Sequence, residues 1–323
     1  MVQSLFEKIL SAIYEPLFVD ESYGFREGRS CHDAIKDAFN HLSETYGRTV
    51  IDVDLSNFFG TINHRKLIML LEMKIKDPIF IRYIVRMLKA GILTEGEMKV
   101  GDDGTPQGSI ASPVLANIFL HHAIDIWVRD RVFPVVDGKI HMVRYADDIV
   151  LVVDSKDAAR VMVGLKKRLE RFSLALNESK TKMISFCRRD LKKGLQQGVF
   201  KFLGFTFYFG KSRKGKWIVK IKTAKKTYAT KLRDITSWCR ECRNKHRLAY
   251  LWKIFQSKIR GHIQYYGVSH NGEMVEKFVY AGTRIFFKWI NRRSQRKSFN
   301  WDQFNAYMKL FPLPKTKIVH RLF

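Results

Sequence analysis

Apolar positions repeat at helical spacing from the start of the chain. Leu5, Phe6, Ile9, Leu10 and Ile13 share one face, and Pro16 limits how far that helix can run. Ala34, Ile35, Ala38, Phe39 and Leu42 mark a second helix, stopped by Gly47. From Thr49 to Leu55 the period becomes two: Ile51 and Val53 alternate with Asp52 and Asp54, which predicts a strand. Helices follow over about 63–73 and 78–89, then a loop from Gly101 to Gly108. Ser112-Pro113 opens a long amphipathic helix through Ala116, Phe119, Leu120, Ile124 and Trp127. Ile140 to Arg144 and Ile149 to Val153 read as two apolar strands around the polar turn Tyr145-Ala146-Asp147-Asp148, a hairpin with two acids at its tip. A helix over about 156–174 and strands near 182–187, 200–209 and 217–222 come next. Four helical stretches close the chain, about 224–243, 246–266, 273–291 and 299–310, with no repeat and no low-complexity tract.

Charge divides this pattern in two. Residues 1–210 hold 30 basic and 26 acidic side chains, a balance of +4; residues 211–323 hold 28 and 5, a balance of +23. The near-neutral part can carry chemistry, and the basic part can grip phosphates, with a boundary near Gly210-Lys211-Ser212-Arg213-Lys214-Gly215-Lys216. A split this uneven is more than a solubilising surface requires. A formal charge of +27 on 323 residues points to a polyanionic partner, nucleic acid first. The chain is long enough for a real core, and 46% hydrophobic content excludes disorder. No apolar run approaches the roughly 20 residues of a membrane span. Four cysteines do not make a disulfide scaffold, and the start lacks a secretory pattern, so a reducing, cytoplasmic setting is expected.

The acids carry the candidate chemistry. A carboxylate among apolar strand residues is costly unless paired or bound to a cation. Asp54 ends one strand, and Asp147 and Asp148 sit between two others. If the three strands are neighbours, the carboxylates converge and need a counter-charge, for which Mg²⁺ suits carboxylate oxygens. Two such ions about 4 Å apart stabilise the entering and leaving oxygens of a phosphoryl transfer. Taken alone, an Asp-Asp turn is ordinary turn chemistry; its apolar flanks and the downstream basic region raise its meaning. Cys239-Arg240-Glu241-Cys242 with His246 invites a zinc reading, but a closed site needs four ligands and no second pair lies nearby. The aromatics of the basic region, Trp217, Tyr228, Trp238, Trp252, Tyr265, Tyr266, Trp289 and Trp301, fall at helical spacing and read mainly as core, with base stacking as the lesser reading.

These residues resemble a known family. Val143-Arg144-Tyr145-Ala146-Asp147-Asp148-Ile149-Val150 resembles the metal-binding hairpin of reverse transcriptases, in the form of bacterial group II introns. Gly104-Thr105-Pro106-Gln107-Gly108 through Ser112-Pro113 to Ile118 is similar to the same family's template and nucleotide-positioning segment. Ser22 to Ser30 resembles a fingers signature, Asp52 to Phe59 the first palm motif, and Phe202-Leu203-Gly204-Phe205 the primer-grip turn. Arg260 to Gly267 and Trp289 to Trp301 resemble thumb and maturase segments. The order and spacing match as well, and the resemblance covers nearly the whole chain.

The resemblance implies an α+β right-hand polymerase fold: partial fingers (1–48), a palm on an antiparallel sheet (49–210, with a fingers insertion at about 63–100) and a basic helical thumb or maturase domain (211–323). It implies an RNA-directed DNA polymerase of a mobile element, with RNA template, DNA primer, deoxynucleoside triphosphates and structured intron RNA as partners. Asp54, Asp147 and Asp148, with the Leu55 carbonyl, would bind two Mg²⁺. Phe59 would exclude a 2′-hydroxyl, while Pro106, Gln107 and Gly108 would shape the nucleotide pocket. Lys180 would protonate the pyrophosphate leaving group, or serve as a solvated surface lysine. Arg26, Arg29, Phe202, Leu203, Gly204, Lys211, Arg213, Lys214, Lys216, Arg260, Arg292, Arg293, Arg296 and Lys297 would meet nucleic acid. Ser56 and Gly60 depart from the family's lysine and acid at those positions. The resemblance also implies further N-terminal fingers, with cations that meet the triphosphate, ahead of Met1-Val2-Gln3, and shows no endonuclease module. The alternatives are a splicing maturase with an idle polymerase site, and a related reverse transcriptase serving phage defence or spacer acquisition.

Overall fold

The computed structural model describes every residue except 1, 45–47, 90–91, 95–96, 100–109, 137–139, 193–197 and 294–298. The chain forms two units, Met1–Leu203 and Gly204–Phe323. That division comes earlier than the charge pattern suggested, because the strand after it pairs with the next one and belongs to the basic unit. Residues 204–210 carry no charge, so the +4 and +23 balances are those of the structural units themselves.

In the first unit α1 (Val2–Tyr14) gives way to a single 3-10 turn at Glu15–Leu17, where Pro16 lies, and α2 spans Cys31–Glu44. Strand β1 (Arg48–Val53) leads into a short α3 (Phe58–Thr61), then α4 (His64–Glu72) and α5 (Pro78–Lys89). A small hairpin, β2 (Ile92–Thr94) and β3 (Glu97–Lys99), was not foreseen from the pattern. Helix α6 (Ser112–Leu120) starts on proline and continues through π-type turns at His121–Asp125 and Val128–Val132. It was expected to be amphipathic. Instead Val114 to Leu120 are all buried, as in a helix that is enclosed on every side.

Strands β4 (His141–Tyr145) and β5 (Asp148–Asp154) form the expected hairpin, followed by α7 (Ala158–Arg171), β6 (Lys182–Phe186), the short α8 (Arg188–Lys192) and β7 (Phe200–Phe202). The sheet order is β4-β5-β1-β6, antiparallel throughout. One face carries Ile51, Val53, Ile149, Leu151, Val153 and Met142, which join the core under α1, α4, α5, α6 and α7. The other face carries Val50, Val143, Val150 and Val152, and α2 packs beside strands β4 and β5.

The second unit opens with the hairpin β8 (Phe205–Lys211) and β9 (Trp217–Thr223). The single strand expected over 200–209 is thus two, separated at Leu203 and Gly204, both with positive φ (47° and 79°). Helices α9 (Lys225–Cys242), α10 (Leu248–Tyr266), α11 (Gly272–Ile290) and α12 (Trp301–Leu310) complete it. Its core is aromatic: the Phe255 and Phe286 rings stack at 4.7 Å, and Trp252 meets Phe304 edge-on at 5.8 Å. The wholly buried Asn271 side chain accepts from the Thr223 amide and donates to the Tyr266 carbonyl, joining β9 to the α10–α11 turn. Among the described residues no helix is long and apolar enough to cross a membrane.

Candidate active site

The alternation in β1 decides where its acids point. Side chains two apart share a face, so Asp52 and Asp54 lie opposite to Ile51 and Val53, which are in the core. The β1–β5 register pairs Asp52 with Val150 and Val53 with Ile149. Paired residues share a face, so Asp148, two before Val150, is on the acid side. The next positions along the two strands are Asp54 and Asp148 themselves. Antiparallel neighbours are about 4.5–5.5 Å apart at Cα. In the β4–β5 hairpin Asp148 pairs with Tyr145, leaving Ala146 and Asp147 as a two-residue tip. Asp54, Asp147 and Asp148 therefore meet at one end of the sheet, with Asp52 one step behind them. Sequence reasoning singled out the first three and gave Asp52 no role of its own. Its period of two with Asp54 was the available signal.

The hairpin is held from below by groups that sequence reasoning left without a role. Ala146 has φ 56°, a conformation that a two-residue turn usually gives to glycine. Arg144 is fully buried and donates from Nε and Nη2 to the two oxygens of equally buried Asp125 (2.8 and 2.6 Å). Its Nη1 reaches Asn117 Oδ1 at 2.9 Å and the Ala146 carbonyl at 3.2 Å. Asn117 in turn donates to the Gly24 carbonyl at 2.6 Å. A Cβ on Gly24 would collide with the Ala146 amide nitrogen, so only glycine allows this approach. The Arg144 carbonyl and amide are bound by Tyr23 and Glu21. Segments 21–24, 117–125 and 144–146 thus form one polar unit beneath the acids.

Crowding of like charge shows in the titration of the site. Asp148 is pushed up to about 6, by desolvation first, then by Asp147 and Asp54. Part of its side chain meets solvent, and water screens part of that penalty; the direction is what matters. Half-buried Asp52 also rises to about 6, from desolvation and then the charges of Asp148 and Asp54, with Lys182 and Lys201 opposing. A set made of carboxylate oxygens that raise one another's pKa fits a hard divalent cation. The Asp54 carbonyl accepts from the Asn177 amide and the Ser56 amide donates to the Ala175 carbonyl, so neither bond uses the Leu55 carbonyl. Lys180 Nζ lies 3.5 Å from Asp54 Oδ1, both substantially exposed, placing a mobile cation beside the acids.

The other expected residues divide by place. Phe58 is buried in the core and half-buried Phe59 packs against that core, with the rings edge-on at 5.2 Å. Asn57, at φ 45°, precedes them, and a Cβ on Gly60 would meet only its side-chain amide, which can shift. Arg26 is corrected: it is 9% exposed, pairs with Glu15 at 2.8 Å and donates to the Val19 and Ser22 carbonyls, so it is a structural group and not a phosphate contact. Arg29 is bound to Asp20 at 2.6 Å. Phe202 is buried, while Leu203 and Gly204 form the turn after it. Lys211, Arg213, Lys214 and Lys216 are exposed at the tip of the β8–β9 hairpin, where Gly215 turns the chain at φ 74°. Arg260 and Arg292 are exposed, and Arg293 donates to the His246 carbonyl. Pro106, Gln107, Gly108, Arg296 and Lys297 lie outside the described residues. Burial pushes the Cys239 thiol up to about 12, which opposes a thiolate ligand there.

Comparisons with known proteins bear on the family and the fold. Residues 1–207 match the family model described as reverse transcriptase (RNA-dependent DNA polymerase). An uncharacterized 91 kDa protein in the cob intron of Schizosaccharomyces pombe is 29% identical over 87% of this chain and 42% of its own. The group II intron-encoded protein LtrA of Lactococcus lactis subsp. cremoris is 42% identical over 38% of this chain and 20% of its own. The chain thus spans less than half the length of either relative. Among solved structures, apo telomerase from Candida tropicalis covers 96% of this chain and 53% of its own at TM-score 0.51 and 12% identity, a likeness of fold.

Proposed function

This chain belongs to the reverse transcriptase (RNA-dependent DNA polymerase) family, with group II intron-encoded proteins among its relatives, and we propose that it is an RNA-directed DNA polymerase. A primer 3′-hydroxyl attacks the α-phosphate of a deoxynucleoside triphosphate, a new P–O bond forms, and pyrophosphate leaves. The observation that carries this reading is the β1–β5 register, which extends to set Asp54 against Asp148 on one sheet face.

Asp54, Asp147 and Asp148, with the Leu55 carbonyl, would hold two Mg²⁺. When bound, such ions neutralise charge on the entering and leaving oxygens. The chain's own residues do the rest. The buried Arg144–Asp125 pair fixes the hairpin so that its carboxylates need no reorganisation on binding. Lys180, 3.5 Å from Asp54, would give a proton to the leaving pyrophosphate. Half-buried Phe59 would pack against the nucleotide sugar and exclude a 2′-hydroxyl. Pro106, Gln107 and Gly108 would line the same pocket.

The basic unit would bind the RNA template, the DNA primer and structured intron RNA through Lys211, Arg213, Lys214, Lys216, Arg260 and Arg292, whose charge and exposure suit phosphate contacts without base reading. That unit's +23 balance also favours a second reading, an RNA-binding splicing maturase. Primer extension on an RNA template separates the two. The polymerase reading expects Mg²⁺-dependent extension that Asp147→Ala and Asp148→Ala abolish. Extension that persists in both variants, or no extension by the parent protein, would overturn it.

A further inference from the structure

Away from the acid end, the same sheet face carries a second cluster of ionisable groups. His141 opens the edge strand β4 and pairs with Val152, so it shares a face with Val150 and Asp148. Four residues separate it from Tyr145, about 13 Å along the strand. Helix α2 lies over it. Asp37 and His41, one turn apart on α2, are turned toward His141. His141 Nε2 lies 3.1 and 3.0 Å from Asp37 Oδ1 and Oδ2, and His41 Nδ1 lies 3.0 Å from Oδ1. The two imidazoles stack in parallel, with centroids 3.3 Å apart and planes 7° apart. One donor atom from each residue lies within 4.8 Å of the others.

Both imidazoles are directed at one carboxylate, so one donor atom from each of three side chains converges on one point. A single divalent ion among them would join all three. The donor set, two imidazole nitrogens and a carboxylate oxygen, suits zinc and its late first-row neighbours, whereas Mg²⁺ prefers oxygen alone. The outer partners are in place as well. The Tyr23 hydroxyl donates to Asp37 Oδ2 at 3.0 Å, fixing the carboxylate that both imidazoles meet. The His41 side chain is 38% exposed, which leaves solvent access for a fourth ligand.

We propose that Asp37, His41 and His141 bind one zinc-class divalent cation, which clamps α2 onto the edge strand leading to the acid hairpin. The site does not depend on the polymerase reading.

The test uses the full chain freed of metal with a chelator, then titrated with Zn²⁺ or Co²⁺. The proposal expects one tight equivalent, visible d–d bands with Co²⁺, and a rise in Tm with Zn²⁺. His141→Gln and Asp37→Asn should each weaken binding by at least about 100-fold, and Tyr23→Phe by about 10–100-fold. Cys239→Ser with Cys242→Ser should bind as the parent does. Far-UV circular dichroism checks each fold, and if His141→Gln does not fold, His41→Gln, at a half-exposed ring, reads the same loss. No Zn²⁺ binding by the parent, or equal binding by the folded Asp37 and histidine variants, would overturn the proposal.

Discussion

Replacing Arg144 with methionine keeps an unbranched apolar stem and removes the guanidinium with its charge. The loss is dominated by Asp125: both groups are fully buried, and two of the bonds run between them at 2.8 and 2.6 Å. Removing one partner of such a pair leaves an uncompensated buried charge, worth about 3–5 kcal/mol. Against a total stability of about 5–15 kcal/mol, that is a large fraction. The Ala146 carbonyl and Asn117 also lose a donor, so the hairpin tip should loosen and primer extension should fall with stability. Urea unfolding followed by circular dichroism measures the change, with Arg144→Met/Asp125→Leu as the control. Removing both charges should recover most of the loss, because an apolar pair of similar volume replaces a buried ion pair at little or no cost. A single-variant loss under about 1 kcal/mol, the level of an exposed pair, or a double variant no better than the single, would refute the reasoning.

Further expectations follow from the same geometry. Asp52 and Asp148 titrate near 6 in the fold and near 4 when unfolded. The folded state then binds more protons between those values, so stability falls as pH rises from about 4 to 6 and stays lower above it. Asp52→Asn and Asp148→Asn should each flatten that part of the metal-free stability profile, measured by thermal unfolding across pH. Gly24→Ala pushes a methyl into the Ala146 backbone and should destabilise by about 1–3 kcal/mol in the same urea assay. Phe59→Val should raise ribonucleotide incorporation relative to deoxynucleotide in primer extension. Arg213, Lys214 and Lys216 changed together to alanine should flatten the salt dependence of single-stranded RNA binding by about 2 in log–log slope, read by filter binding.

The acids were legible because apolar β-branched neighbours gave their strands a clear period, and the period fixed which side each faced. The partners beneath them were not. Arg144 and Asp125 were given no role, because their partnership spans separated segments that only folding brings together. Arg26 was misread: a basic residue in a family signature looked like a phosphate contact, yet it caps carbonyls within its own loop. Helix α6 was found, but its complete burial was missed because its polar residues, Asn117 among them, have buried partners. The β2–β3 hairpin escaped notice because three-residue strands leave too short an alternation. His41 and His141 are a hundred residues apart in sequence and joined only by the packing of α2 on the sheet.

The convergence of Asp54, Asp147 and Asp148 is tested most directly by counting Mn²⁺ ions bound to the protein with primer–template and a deoxynucleoside triphosphate, by electron paramagnetic resonance. The account predicts two protein-dependent ions, both lost or greatly weakened in Asp54→Asn and in Asp148→Asn. Unchanged Mn²⁺ binding in these folded variants would contradict it.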